Sequence, residues 1–175
     1  MAELYTVREP YPQELSILTD AAFARDEQRK LSGPSLRTFL NIARLWGLSE
    51  QQKIAVLGSP ARSTYHKWAK DAAEGNNLTL PFDVLVRISA VLGVHKALRI
   101  VFLTPEDGID WLKLPNLAPV FAGYPPLDVV TSGFQDRILA VRRHLDARRG
   151  GVFSAPTDAA FEQEPWSADD IAIVE

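Results

Sequence analysis

The 175-residue chain contains no cysteine, which excludes disulfides, thiolate metal sites and a cysteine nucleophile. Histidine is scarce too: only His66, His95 and His144 occur, and none stands in a His-Glu-x-x-His run. There is no G-x-S-x-G elbow. The stretch "LGSPARST" lacks the second glycine and the Lys-Ser/Thr end of a phosphate loop. Asp107 and Asp110 in "PEDGID" read as helix-capping and turn residues rather than metal ligands. No catalytic residue, metal or cofactor is therefore expected, and the chain is not expected to be an enzyme. Long apolar runs are missing as well: no window reaches the roughly 18 residues needed to span a bilayer. The opening "MAELYTVREPYPQEL" has no apolar run behind a basic start, so no secretory signal is expected. A cytoplasmic location and no membrane partner follow as expectations.

What is present is an ordinary globular composition, 46% hydrophobic and 23% charged, with an uneven spread of charge. Residues 151–175 hold six carboxylates and no Lys or Arg, so they carry −6 of a net −3 and leave residues 1–150 at +3. A mildly basic body with an acidic tail is the pattern of an interaction tail. Phe153, Phe161, Trp166 and Ile171 in that tail suggest that it anchors on a surface.

No strand-like alternation is sustained, so the fold is expected to be all-α. "PQELSILTDAAFARDEQRK" reads as one helix, ended by "LSGP" at 31–34. A second starts at Ser35, with Leu36, Phe39, Leu40 and Ala43 at helical spacing and Gly47 closing it. Ser49 with Gln52 is a capping box for a short helix that stops at Gly58. Ser59-Pro60 is expected to start the next, with serine as N-cap and proline in first position. Two helices follow, over 81–94 and 96–102. The Pro- and Gly-rich stretch 104–130 is too apolar for a disordered linker. Ser132 with Gln135 is a second capping-box candidate, opening a final helix with Phe134, Ile138, Val141 and Leu145 on one face.

Helices at 49–57 and 60–72, joined by a glycine-containing turn, have the spacing of a helix-turn-helix. In that motif the second helix enters the major groove. Ser59, Arg62, Ser63, Thr64, His66 and Lys67 are the candidate DNA contacts, to phosphates or base edges. Segment 35–75 has six Lys or Arg against three carboxylates, and local rather than net charge governs docking. The same spacing also fits an αα-hairpin with solvated basic residues. Tyr65 and Trp68 are expected to pack the motif's own core. Four arginines within 142–149 exceed what the helix dipole needs at its C-terminus and leave room for a carboxylate- or phosphate-bearing partner.

The order of these landmarks resembles the Xre/MbcA/ParS antitoxin family. The matching stretches are "LRTFLNIARLWGLSEQQKIAVLGSPARSTYHKWAK", "LTLPFDVLVRISAVLGVHKALRIVF", "GIDWLKLPNLAPVFAGYPPLDVVTSG" and "LAVRRHLDARRGG", together covering roughly residues 35–151. The resemblance implies an Xre-like helix-turn-helix domain (35–95) and a helical toxin-binding domain (96–151), flanked here by an N-terminal extension (1–34) and by an acidic C-terminal tail (152–175) that runs on past the family's usual end near Gly-Gly. It implies as partner a RES-domain toxin that degrades NAD or transfers ADP-ribose, neutralised when the antitoxin covers its active-site cleft. It further implies operator DNA as a second partner, and a homodimer forming a hetero-oligomer with the toxin. By position, the toxin-facing residues are Trp111, Leu112 and Asn116, then Pro126, Leu127 and Asp128, then Arg142, Arg143, Arg148, Arg149, Gly150 and Gly151; in the tail beyond them, its own apolar residues make Trp166 the expected anchor. The alternative function is a helix-turn-helix transcription regulator without a toxin, which would have no use for an ordered 105–151 segment. Read as two modules, the chain is expected to keep a folded, DNA-competent N-terminal half when 142–175 are removed. Apolar surface in 84–102 is the expected dimer contact.

Overall fold

The computed structural model describes residues 21–149, and every regular element among them is a helix. In chain order these are α1 (Ala21–Trp46), α2 (Glu50–Val56), α3 (Arg62–Glu74), α4 (Phe82–Val101), α5 (Pro105–Lys113), α6 (Pro126–Val130) and α7 (Gln135–Arg149).

Two of the expected breaks are absent. α1 continues through "LSGP" with Pro34 inside it. Proline removes one helical hydrogen bond and ordinarily kinks or ends a helix. Here the surrounding turns are tied from outside. Buried Ser32 donates its hydroxyl to Gln28 O at 2.6 Å and accepts from the Leu80 backbone N–H at 2.9 Å. Gln28 Nε2 donates to Leu80 O at 2.7 Å. The segment leading into α4 thus clamps α1 over the two turns before Pro34, and tertiary packing overrides local propensity.

The second missing break lies at 94–96, where α4 runs on as one 20-residue helix. Gly93 lies within it, and its bare Cα admits the Arg142 side chain: a Cβ there would lie 2.6 Å from Arg142 Nε. α7 packs along α4 more extensively than any other helix pair does. Ile138, Val141 and Leu145 of α7 are fully buried in the same core as Val91, Val94, Ala97 and Leu98 of α4, Phe39 and Trp46 of α1, and Tyr65 of α3. That core is continuous from the helix-turn-helix to the last helix. Phe134, expected on the buried stripe, is instead exposed beneath the Arg137 guanidinium.

A second tie joins the two halves. Arg87 of α4 lies beside Gly58 in the α2–α3 turn and donates through Nη1 to Gly133 O, between α6 and α7, at 2.8 Å. Gly133 has a φ of +88°, a conformation open to glycine at little cost. Ser132 does not cap α7: its hydroxyl donates to Val129 O at 2.8 Å, closing α6 instead.

On the outside, α1, α4 and α7 border a groove of about 720 Å³ lined by Leu31, Phe82, Leu85, Leu92 and Leu139. Of the surface expected to join two copies, α4 keeps Leu85 and Leu92 half-buried along this groove, while Val91 is covered within the chain.

Candidate functional site

α2 and α3 form the helix-turn-helix pair. The capping box at α2 is complete: Gln52 N–H donates to Ser49 Oγ at 3.2 Å, and Ser49 N–H to Gln52 Oε1 at 2.9 Å. The turn departs from expectation. Gly58 and Ser59 both have positive φ, +89° and +57°, and Ser59 N–H donates to Ile54 O at 2.9 Å. Ser59 therefore finishes α2 rather than capping α3. Pro60 lies in the turn, Ala61 is the N-cap without a side-chain hydrogen bond, and α3 begins at Arg62. The leading N–H groups of an α-helix have no partner inside it, and here no side chain caps them.

The rest of α3 sorts by face. Arg62, Ser63, His66 and Lys67 are exposed and Thr64 is half-buried, while Tyr65 is buried and Trp68 packs against the core. The candidate contacts from Arg62 to Lys67 thus lie on the first turn and a half of α3, with the two aromatic residues turned inward. Glu50 reaches into this face from α2. Its carboxylate sits 2.6 Å from Arg62 Nε and 3.5 Å from His66 Nε2.

The other candidate residues lie in α5, α6, α7 and the loop between α5 and α6. Trp111 is half-buried in an aromatic cluster, with Phe102 at 5.8 Å, Phe121 edge-on at 5.6 Å and His144 stacked at 6.1 Å. Leu112 and Pro126 are buried, Leu127 is half-buried and Asp128 is exposed. Asn116 acts as a clamp: its Oδ1 accepts from Ala118 N–H at 3.0 Å, its backbone O accepts from Gly123 N–H at 2.9 Å, and its N–H donates to Tyr124 O at 3.3 Å. The Trp-Leu-x-x-Pro-Asn stretch therefore spends Trp111 and Leu112 on packing and Asn116 on shaping the next loop. That loop presents Leu114, Leu117, Val120 and Tyr124 to solvent, residues that sequence reasoning passed over. The available signal was a run of large apolar side chains with no helical period.

The arginines of α7 all have contacts within the chain. Arg142 Nε is 3.6 Å from Asp146, Arg143 Nη2 is 3.2 Å from Asp136, and Arg149 Nη2 is 3.9 Å from Asp146. The Arg148 guanidinium lies 5.9 Å from the Phe102 ring. Surface pairs of this kind contribute little stability, so a partner's carboxylates can displace them. Gly150, Gly151 and Trp166 lie outside the described residues, as does the acidic tail.

His144 stacks on Trp111 and meets Phe121 edge-on at 4.9 Å. Burial lowers its pKa below the usual imidazole value, and the Arg148 charge lowers it further. His95 is lowered in the same way, by burial and then by Arg99. Neutral imidazole is thus favoured in the folded chain. Stability is complete above the unfolded-state value of about 6.5 and is lost as pH falls through it, because the unfolded chain takes up protons more readily. Urea midpoints are expected to drop between pH 7.5 and pH 5.5. They should drop less in a His95→Gln, His144→Gln double variant; equal slopes would contradict the assignment.

Among the described residues, no three His, Asp or Glu side chains cluster as metal ligands. No described helix is long and apolar enough to cross a membrane.

Comparison with known proteins divides the chain inside α4, between residues 93 and 97. Residues 27–93 match the family model of the antitoxin Xre-like helix-turn-helix domain. Residues 97–151 match that of the antitoxin Xre/MbcA/ParS C-terminal toxin-binding domain. The uncharacterised protein y4oB of Sinorhizobium fredii is 43% identical over 116 residues, which is 66% of this chain and 84% of that protein. No solved structure matches.

Proposed function

The chain belongs to the Xre/MbcA/ParS antitoxins, and from that premise we propose that it neutralises a RES-domain toxin by covering the toxin's active-site cleft, and that it represses its own operon through α3. Being an antitoxin with a helix-turn-helix domain, it has two kinds of partner, a toxin and DNA. The observation that carries the proposal is the division of surfaces. An exposed basic helix face lies in the part that matches the helix-turn-helix domain, and exposed arginines stand at the C-terminal turn of α7, in the part that matches the toxin-binding domain. A RES-type cleft that cleaves NAD is expected to hold a carboxylate, with which Arg148 and Arg149 can pair. The acidic tail suits the cationic part of the same cleft, where the dinucleotide's phosphates would bind. The test is growth. A RES-domain protein encoded beside this chain should arrest cells when expressed alone and lower their NAD, and co-expression of this chain should restore both. Arrest that persists despite soluble co-expression would refute the reading.

Operator binding is expected to require two copies, because one short basic helix offers too few contacts for specific affinity. The apolar groove of Leu31, Phe82 and Leu85 is the surface on which a second copy would seat. A strict monomer by light scattering at micromolar concentration would refute this arrangement.

Glu50 sets the strength of the DNA face. Its carboxylate neutralises Arg62 in the free protein and would face phosphate in a complex. Glu50→Gln is therefore expected to tighten operator binding several-fold at low salt, with the gain fading as salt rises. Fluorescence anisotropy across a salt series reads both effects, and an unchanged or weakened affinity at low salt would contradict the role.

A further inference from the structure

The segment between α5 and α6, "LPNLAPVFAGY" at 114–124, contains no Asp, Glu, Lys or Arg. Its large apolar side chains divide sharply. Phe121 is fully buried against Trp111 and His144. Leu114 is 60% exposed, Leu117 91%, Val120 39% and Tyr124 64%. A loop that presents four such side chains without one charge is unusual for a solvated surface, and contiguous exposed apolar residues mark contact sites.

The loop is also pre-shaped. Asn116 exchanges backbone hydrogen bonds with Gly123 and Tyr124, at 2.9 and 3.3 Å, which closes its two ends on each other. Phe121 and Ala122 N–H both donate to Ala118 O, and Tyr124 N–H to Phe121 O. Ala122 and Gly123 both take positive φ, +49° and +87°, so the chain reverses within two residues. Phe121 pins the underside to the aromatic cluster. Little backbone entropy remains to be lost on binding, which is the property of a preorganised contact surface.

We propose that this loop is a docking platform for the toxin, with Leu117 and Tyr124 as anchors and Leu114 and Val120 around them. It would seat on an uncharged, apolar patch of the toxin surface outside the cleft that the arginine-bearing end of α7 addresses. The proposal rests on the toxin–antitoxin reading. It commits to the toxin because the loop lies wholly inside the part of the chain that matches the toxin-binding domain. The acidic tail fits less well as an occupant, since the loop offers its six carboxylates no cation. For a second copy of this chain the α1–α4 groove, at a different set of residues, is the proposed seat.

The test uses the full chain carrying Leu117→Ser and Tyr124→Ser together. Both side chains are mostly outside the core, so the fold should survive. Affinity for the RES-domain toxin, measured by calorimetry, is expected to fall about a hundredfold or more, as when two central anchors are truncated together. Thermal unfolding, operator affinity and the mass of the antitoxin alone should be unchanged. Unchanged toxin affinity in a variant whose wild type binds would overturn the platform while leaving the toxin–antitoxin reading intact. A smaller mass for the variant alone would assign the patch to a second copy, and would overturn the platform too. If the wild-type chain itself fails to bind the toxin, the functional reading fails and the platform falls with it.

Discussion

Removing residues 142–175 is expected to destroy operator binding as well as toxin neutralisation. Two separable modules would predict a surviving DNA-binding half, but the core does not divide there. The cut removes Leu145, which is fully buried, and takes Arg142 away from Gly93. What remains of α7, residues 135–141, is too short to hold as a helix without its packing. Ile138 and Val141 would then lose their place in the core, and the face of α4 that carries Val91, Val94 and Leu98 would be opened. Each large apolar side chain lost from a core costs about 2–5 kcal/mol, against a total stability of about 5–15 kcal/mol for a domain. The truncated chain should therefore show no cooperative urea transition and no operator binding. Deleting only 153–175 leaves every described helix intact. It is expected to preserve the transition and DNA binding and to weaken neutralisation partially. A cooperative, DNA-competent product ending at 141 would contradict the shared core.

The second large effect concerns α3. Replacing Arg62 and Lys67 with alanine removes two exposed cations from its outward face without touching Tyr65 or Trp68. If both contact phosphates, each carries close to one unit of the slope of log affinity against log salt. The double variant should lose roughly two units of slope per half-site and bind operator at least tenfold more weakly at moderate salt, with weakening similar across sequences. Toxin inhibition should be untouched, because both residues lie outside the part of the chain that matches the toxin-binding domain. Equal loss of both activities, with an unchanged unfolding curve, would contradict this division of labour.

The features legible in sequence were those set by short-range chemistry. The Ser49–Gln52 capping box, the inward turn of Tyr65 and Trp68 and the Ile138–Val141–Leu145 stripe all depend on spacing within one helix, and spacing is what a sequence displays. The misread features depend on contacts far along the chain. "LSGP" looks like a break until Leu80, 48 positions from Ser32, supplies the hydrogen bond that holds it helical. The expected break between 94 and 96 is absent because α7, far along the chain, packs along α4. Ser59-Pro60 matches a helix start, yet the left-handed turn after α2 draws Ser59 back to Ile54. At the candidate toxin face, the motif residues Trp111 and Leu112 proved to be packing residues. The exposed side chains are their unpatterned neighbours, because Asn116 decides the shape of the loop and its partners are seven and eight residues on.

The central claim is that this chain silences a NAD-consuming toxin by direct contact. Its most direct test is a titration: the purified RES-domain toxin turning over NAD, with the full-length chain added in increasing amounts. Inhibition should be complete once the chain reaches a fixed molar ratio to the toxin, with a sharp break in the curve, and should be unaffected by Arg62→Ala with Lys67→Ala. NAD turnover that continues at its full rate in a large excess of folded protein would contradict the claim.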